Sequence, residues 1–308
     1  MYLCTNKNKD CMARRRNKRN SPTLWYIVVI IALVAAGLSY WQQSNDGARQ
    51  DKQAESFVAT VPMESDVSAS EVLPTEGWEL AQVDSACAEQ IIVHTGYTVS
   101  YNPLLMVPNW VAYELTDAET SGEGKRSDHF LPDPLVEGDA VVSADYKSSG
   151  YDRGHMAPAG DMKWSEQAMK ESFYMTNMCP QLHNVNAGDW KELEDLARSW
   201  AKQYGNIYIT CGPIVEENHQ TIGTTRKIAV PAAFYKVFLR RTDDGWRSIG
   251  FVLPNRAGSR PLLTYIASVD EIEALTGIDF FYSLPDDVEE TIEAQCEPAS
   301  WALSRKAQ

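Results

Sequence analysis

The sequence is short of the groups that several common chemistries require. Six cysteines are spread over 308 residues with no C-x-x-C pair and no Cys/His cluster, which excludes a zinc site of the usual spacing. No G-x-S-x-G elbow occurs, so a Ser/His/Asp hydrolase has no nucleophile in its expected setting. Histidines number five, and His94, His129, His183 and His219 have no partner at ligand spacing, so they read as loop or surface residues. Positive charge is scarce as well: 28 Lys/Arg stand against 42 Asp/Glu, a net of −14. No internal repeat is visible.

The few bases are unevenly placed. Residues 1 to 41 hold seven of them (Lys7, Lys9, Arg14, Arg15, Arg16, Lys18, Arg19) against Asp10 alone, so that end is +6 and the remainder carries −20. An uncharged run from Trp25 to Trp41 follows, with Trp25, Tyr26, Tyr40 and Trp41 at its ends. Its seventeen residues meet the lower limit of a membrane-spanning helix. The basic flank would stay cytoplasmic while the rest is exported to the periplasm or the cell exterior. Small residues at Ala32, Ala35, Ala36 and Gly37 leave a cleaved signal peptide, and hence a secreted protein, as the alternative. The long leader and the aromatic ends favour an uncleaved anchor. Residues 42 to 80 are polar, rich in Ser, Asp, Glu and Gln, and without apolar periodicity. The expected division is therefore a basic tail (1–24), a transmembrane or signal-anchor segment (25–41), a disordered linker (42–80) and a folded domain (81–308).

Export would place Cys87, Cys179, Cys211 and Cys296 in an oxidising compartment, where four cysteines allow three pairings. Cys87 and Cys296, near the two ends of the domain, are expected to form a closing bridge, and Cys179 and Cys211 to be buried thiols. β-Branched and aromatic runs predict strands at Ile91–Val93, Tyr97–Tyr101, Trp110–Leu115, Phe173–Met178, Ile207–Cys211, Tyr235–Leu239 and Ser248–Leu253. Helices are expected at Ser165–Glu171, Trp190–Tyr204 and Val269–Leu275, the last capped by Ser268. In the second of these, Trp190, Leu193, Ala197, Trp200, Ala201 and Tyr204 recur at three- and four-residue steps and should face a core. Irregular alternation of strands and helices indicates an α+β domain.

Three stretches carry the chemistry: YDRGHMAPAGD (Tyr151 to Asp161), FYMTNMCPQ (Phe173 to Gln181) and NAGDWKELE (Asn186 to Glu194). Taken singly each is ordinary, since a lone His, an Asn before a helix and a Glu within one all have structural explanations. Together they meet the needs of phosphodiester hydrolysis, in which water is a weak nucleophile and the leaving alkoxide is poor. His155 suits the general base, having an ordinary pKa near neutrality. Asn186 and Glu194 offer the oxygen ligands that Mg²⁺, or Mn²⁺, prefers. Arg153 presents a planar fork to phosphate. Eight helical residues advance about 12 Å, too far for two direct ligands of one ion. Asn186 is therefore expected to bind the metal directly and Glu194 through a water.

The ordered series DRGH, TN-x-x-PQ and N-x-G-x-W-x-x-L-E resembles the DNA/RNA non-specific endonuclease family, the ββα-metal nucleases. The similarity extends over most of residues 90 to 290, through NWVAYELT (Asn109 to Thr116), TCGPI (Thr210 to Ile214), IAVPAAFYKV (Ile228 to Val237) and the late VDEIEALTGIDFFYSLPDD. The resemblance implies a ββα-metal (His-Me finger) fold with a mostly antiparallel central sheet flanked by helices, and Mg²⁺-dependent cleavage of both DNA and RNA. It implies that His155 is the base, Asn186 the single direct ligand, Glu194 a water-mediated one and Arg153 a substrate contact. It also implies a transition-state arginine shortly before an Asp-Pro, a place that Arg126 fills ahead of Asp133-Pro134. Asn177 matches the asparagine of TN-x-x-PQ and is assigned with Arg153 and Arg126 to the substrate side of the site, as a supporting residue. Asp152 reads as a turn residue or as an orienter of Arg153. A homodimer is compatible with the family.

The acidic body conflicts with nucleic-acid binding, whose affinity comes mainly from phosphate neutralisation. Local clustering of Arg126, Arg153, Lys163, Lys170, Lys191 and Arg198 is expected to compensate. The rival readings are a catalytically silent nucleic-acid-binding or envelope scaffold of the same fold, and a hydrolase of small phosphodiesters.

Overall fold

The computed structural model describes residues 77–256 and 260–303. The expected basic tail, membrane segment and linker up to residue 76 lie outside the described residues. Among the described residues no helix is long and apolar enough to cross a membrane. The domain starts slightly earlier than composition suggests: Trp78 is buried, its ring 4.8 Å from that of Trp246, so residues 77–80 belong to the fold and not to the linker.

In chain order the strands are β1 (Ala81–Val83), β2 (Gln90–Val93), β3 (Thr98–Asn102), β4 (Val107–Thr116), β5 (Asp152–His155), β6 (Met178–Gln181), β7 (Asn206–Ile214), β8 (Thr221–Ile222), β9 (Ile228–Ala229), β10 (Ala233–Thr242), β11 (Gly245–Pro254), β12 (Ile266–Ala267) and β13 (Ile278–Phe280). The helices are α1 (Glu166–Glu171), α2 (Trp190–Tyr204), α3 (Val269–Thr276) and α4 (Asp286–Glu293). Seven strands form the central sheet in the order β12-β11-β10-β7-β4-β3-β2, every neighbouring pair antiparallel. This is the α+β architecture with a central antiparallel sheet that the sequence indicates.

Period-two alternation assigns each strand residue to one of two cores. On β10, Phe234 and Phe238 face the layer containing α2, whereas Tyr235, Val237 and Leu239 face the layer of α3, α4 and the β1–β13 pair. The α2 stripe behaves as expected, with Trp190, Leu193, Ala197, Trp200 and Ala201 buried. Each large side chain so buried contributes about 1.5–3 kcal/mol. Gly205 at φ 90 ends the helix in a backbone region that side chains avoid. Ser268 caps α3, as read from the sequence, and Glu271 returns the bond to the Ser268 backbone N–H.

Some expectations are corrected. Phe173–Met178 is not a strand: Met175–Asn177 form a tight turn and only Met178 enters β6. The helix α4 was not expected, because DDVEETIE has few apolar residues to mark a face. Cys87 and Cys296 are free, exposed thiols and no bridge joins them, while Cys179 and Cys211 are buried thiols as expected. His94 is not a surface residue; it is buried, and its Nε2 lies 2.9 Å from Asp133 Oδ2, which also accepts from Thr176 at 2.5 Å.

Candidate active site

Strand β5, paired antiparallel with β6, and α2 build one wall of a cleft of about 1110 Å³. DRGH forms β5 itself, with Asp152 opposite Gln181 and His155 opposite Met178. Gly154 is required there: a Cβ would stand 2.2 Å from the Gln181 side chain, which lies across the ribbon. Trp190, the first residue of α2, donates its indole N–H to His155 O at 3.0 Å and so fixes the helix start against the end of β5.

Asn177 clamps the same corner. Its amide donates to Ala157 O and Ser172 O, both at 2.8 Å, and its Oδ1 accepts from Ala157 N at 2.9 Å. The residue is fully buried and does not line the cleft, so its placement on the substrate side is corrected: all its polar capacity is taken by backbone. These bonds also explain the turn that replaces the expected strand.

The His155 ring packs between Phe130 and Phe173, with centroids 5.7 and 4.9 Å away. The same two phenylalanines carry the arginines: Arg153 Cζ lies 4.4 Å from the Phe130 centroid and Arg126 Cζ 5.1 Å from that of Phe173. One aromatic pair thus holds the imidazole and both guanidiniums in register. Arg153 also donates to Ser143 Oγ at 2.8 Å. Its Nε and His155 Nε2 are buried without a hydrogen-bond partner. Burial, and then the Arg126 charge, lower the His155 pKa to about 3, so the imidazole is neutral and able to accept a proton. Arg126 pairs with Asp128, but both side chains are more than half exposed, and such a pair yields readily to a stronger anion.

Asn186 and Glu194 line the cleft with His155, Arg126 and Arg153. The chain between them is not one regular helix, as the spacing argument assumed. Gly188 adopts φ −109, ψ −113 and α2 starts only at Trp190, so a wide kinked turn separates Asn186 from the helix. Asp152 neither orients Arg153 nor merely turns the chain: its Oδ2 accepts from Asn186 Nδ2 at 2.9 Å and pairs with His183 Nδ1 at 2.8 Å. Asn186 Oδ1 is left for a ligand. The Glu194 carboxyl makes no ion pair or hydrogen bond among the described residues. Burial raises its pKa to about 7, against the pull of Lys236 and Arg198 and with the repulsion of Asp161 and Asp195. An oriented amide oxygen and a carboxyl without a hydrogen bond or ion pair among the described residues, both hard donors, fit a hydrated divalent cation such as Mg²⁺.

The positive charge of the cleft is distributed differently from the sequence expectation. Arg198 is bound to Asp161 at 2.6 Å and also to Asp195, so its charge is spent internally. Lys170 does not line the cleft. Lys163 and Lys191 do, joined by Lys147, which no motif marked. Lys236 is completely buried on β10, its Nζ 4.5 Å from the Trp190 ring centroid, and supports the cleft wall from beneath.

A neutral imidazole, two arginines and a pair of oxygen donors around one cleft are groups of the kind that can act on a phosphate-bearing anion. The comparisons agree with that class and sharpen it. The chain belongs to the DNA/RNA non-specific endonuclease family, whose profile matches residues 80–287. It is 36% identical over 208 residues to "Nuclease EXOG, mitochondrial" of Danio rerio, covering 62% of this chain and 60% of the relative, and so spans less than two thirds of that protein's length. It is 30% identical over 267 residues to "Endonuclease G, mitochondrial" of Bos taurus, covering 80% of this chain and 89% of the relative. A solved structure of EndoG in complex with its inhibitor EndoGI superposes with a TM-score of 0.61 at 29% identity, covering 65% of this chain and 89% of that one.

Proposed function

We propose that the chain is a metal-dependent, sequence-nonspecific endonuclease that hydrolyses phosphodiester bonds of DNA and RNA. The observation that carries this reading is the convergence of His155, Arg153, Arg126, Asn186 and Glu194 on one cleft, with the imidazole neutral and the Asn186 amide oriented by Asp152. Arg153 and Arg126 hold the phosphate; burial is the larger cause of the depressed basicity of His155, and the phosphate charge offsets the Arg126 field that adds to it. The imidazole then takes a proton from the attacking water. Asn186 Oδ1 would hold Mg²⁺, or Mn²⁺, directly and Glu194 would hold it through a water. The ion, when bound, stabilises charge on the departing 3′ oxygen. Contacts confined to phosphate give little base preference, and the 2′-hydroxyl has no part in the attack, so both nucleic acids are substrates.

The apolar run Trp25–Trp41 and its basic flank support an anchored protein whose nuclease domain lies outside the cytoplasm. Cleavage of plasmid and RNA with and without EDTA, by the wild-type chain and by His155→Ala, tests the activity. Protease accessibility of the domain in intact cells tests its location.

A further inference from the structure

The face of the central sheet opposite the cleft carries a second group of oxygen donors. Asp270 and Glu273 are three residues apart on α3, and Glu289 and Glu293 are four apart on α4, so each helix turns two carboxyls to one side. One oxygen each of Asp270, Glu273 and Glu293 lies within 4.8 Å of the other two. Two oxygens bound to one ion at about 2.4 Å are separated by no more than twice that distance, so the spacing admits a shared cation.

The interior of this group lacks a counter-charge. Glu293 is 5% exposed, and its Oε1 is buried with no hydrogen-bond partner. Glu289 Oε1 is likewise buried and unpartnered. None of the four acids takes part in an ion pair among the described residues. Only Glu273 is satisfied, its Oε1 accepting the Phe280 N–H at 2.9 Å, which holds that carboxylate in place. Buried like charges at helix spacing oppose folding unless something neutralises them.

We propose that Asp270, Glu273 and Glu293 form a calcium site, with Glu289 beside it, that ties α3 to α4 behind the sheet. The donors are all carboxylate oxygens, which excludes the soft, nitrogen- and sulfur-loving metals. Calcium accepts many protein oxygens in flexible geometry, whereas Mg²⁺ keeps most of its waters and gains less from such a cage. The role is structural, since the cluster and the catalytic cleft lie on opposite faces of the sheet. A proton is the competing occupant: burial and the charges of Glu273, Glu289, Asp270 and Asp279 push the Glu293 carboxyl up to about 9.

The test uses the full chain carrying Asn186→Ala, so that cation binding in the cleft does not contribute, after EDTA treatment and dialysis. Calcium chloride is added in calorimetry and thermal melting. The expected result is one bound ion per chain and a Tm rise of about 5–11 °C near 100 times its Kd. Glu293→Gln and Asp270→Asn both abolish the rise, and Mg²⁺ gives a smaller one. Asp270 is exposed, so its substitution leaves the fold intact and carries the test even where Glu293→Gln does not fold. Absence of binding heat and of a Tm rise in the parent chain, or an equal rise in the Asp270→Asn chain, overturns the proposal.

Discussion

Asp152 Oδ2 accepts the side-chain N–H of Asn186 at 2.9 Å, across 34 residues of sequence, and so decides which end of that carboxamide faces the cleft. Without this bond the amide can rotate and present nitrogen, a donor that no cation accepts. Asp152→Ala is therefore expected to weaken Mg²⁺ binding about 10–100-fold while kcat at saturating metal changes less. Asp152→Asn, which keeps an acceptor oxygen, should recover most of the affinity. Metal titrations of activity check this, and equal affinities in wild type and Asp152→Ala would remove the role.

Glu194 supplies a pH dependence. Its carboxyl is pushed up to about 7, so below that pH a proton must leave before the group can serve a cation. Mg²⁺ affinity should tighten between pH 6 and pH 8, by up to about tenfold per unit below the pKa. In Glu194→Gln the dependence should flatten and the affinity should stay low. Calorimetry at three pH values reads both.

His155 affects stability at lower pH and by a different route. Its folded pKa, about 3, lies below the ordinary histidine value, so in acid the unfolded chain binds a proton that the folded one refuses. Stability is full above about pH 6.5 and is lost as pH falls towards 3, with a slope of up to about 1.4 kcal/mol per unit. Urea denaturation of the metal-free protein at pH 7.5 and pH 5 should show a larger loss for wild type than for His155→Phe.

Substrate affinity rests on few free bases. Lys147 and Lys163 line the cleft of an acidic protein without an ion pair, while Lys191 is paired with Asp195 and Arg198 is consumed by Asp161 and Asp195. DNA binding should be weak and should fall steeply with salt. Lys147→Ala should lower the log–log salt slope by about 1, and Lys170→Ala should leave it unchanged. Fluorescence anisotropy across a salt series, with calcium in place of magnesium, measures the slopes.

Asn177 should matter for the fold rather than for substrate. Asn177→Ala leaves two buried carbonyls and one N–H unpaired and is expected to cost about 3–5 kcal/mol. Thermal melting checks the cost, and an unchanged Tm would show the clamp to be dispensable.

The parts of the molecule that could be read from sequence are those with short-range patterns. The α2 stripe repeats at helical spacing, and its burial follows; DRGH and N-x-G-x-W are recognisable as local motifs and both fall on the one cleft. Contacts set by distant partners left no such mark. His94 meets Asp133 across 39 residues, and nothing near either one reveals the pair. Phe173–Met178 has the composition of a strand, yet the Asn177 side chain outcompetes the ladder by bonding three backbone groups. The kink at Gly188 likewise escapes a reading that extends the helix back to Asn186.

Cleavage of supercoiled plasmid and of RNA in Mg²⁺, by the wild-type chain beside His155→Ala, tests the central claim most directly. Wild type should cut both substrates and lose all activity in EDTA, and His155→Ala should be slower by about 10²–10⁴-fold while still folded at neutral pH. Undiminished cutting by His155→Ala, or cleavage that persists in EDTA, would contradict the account.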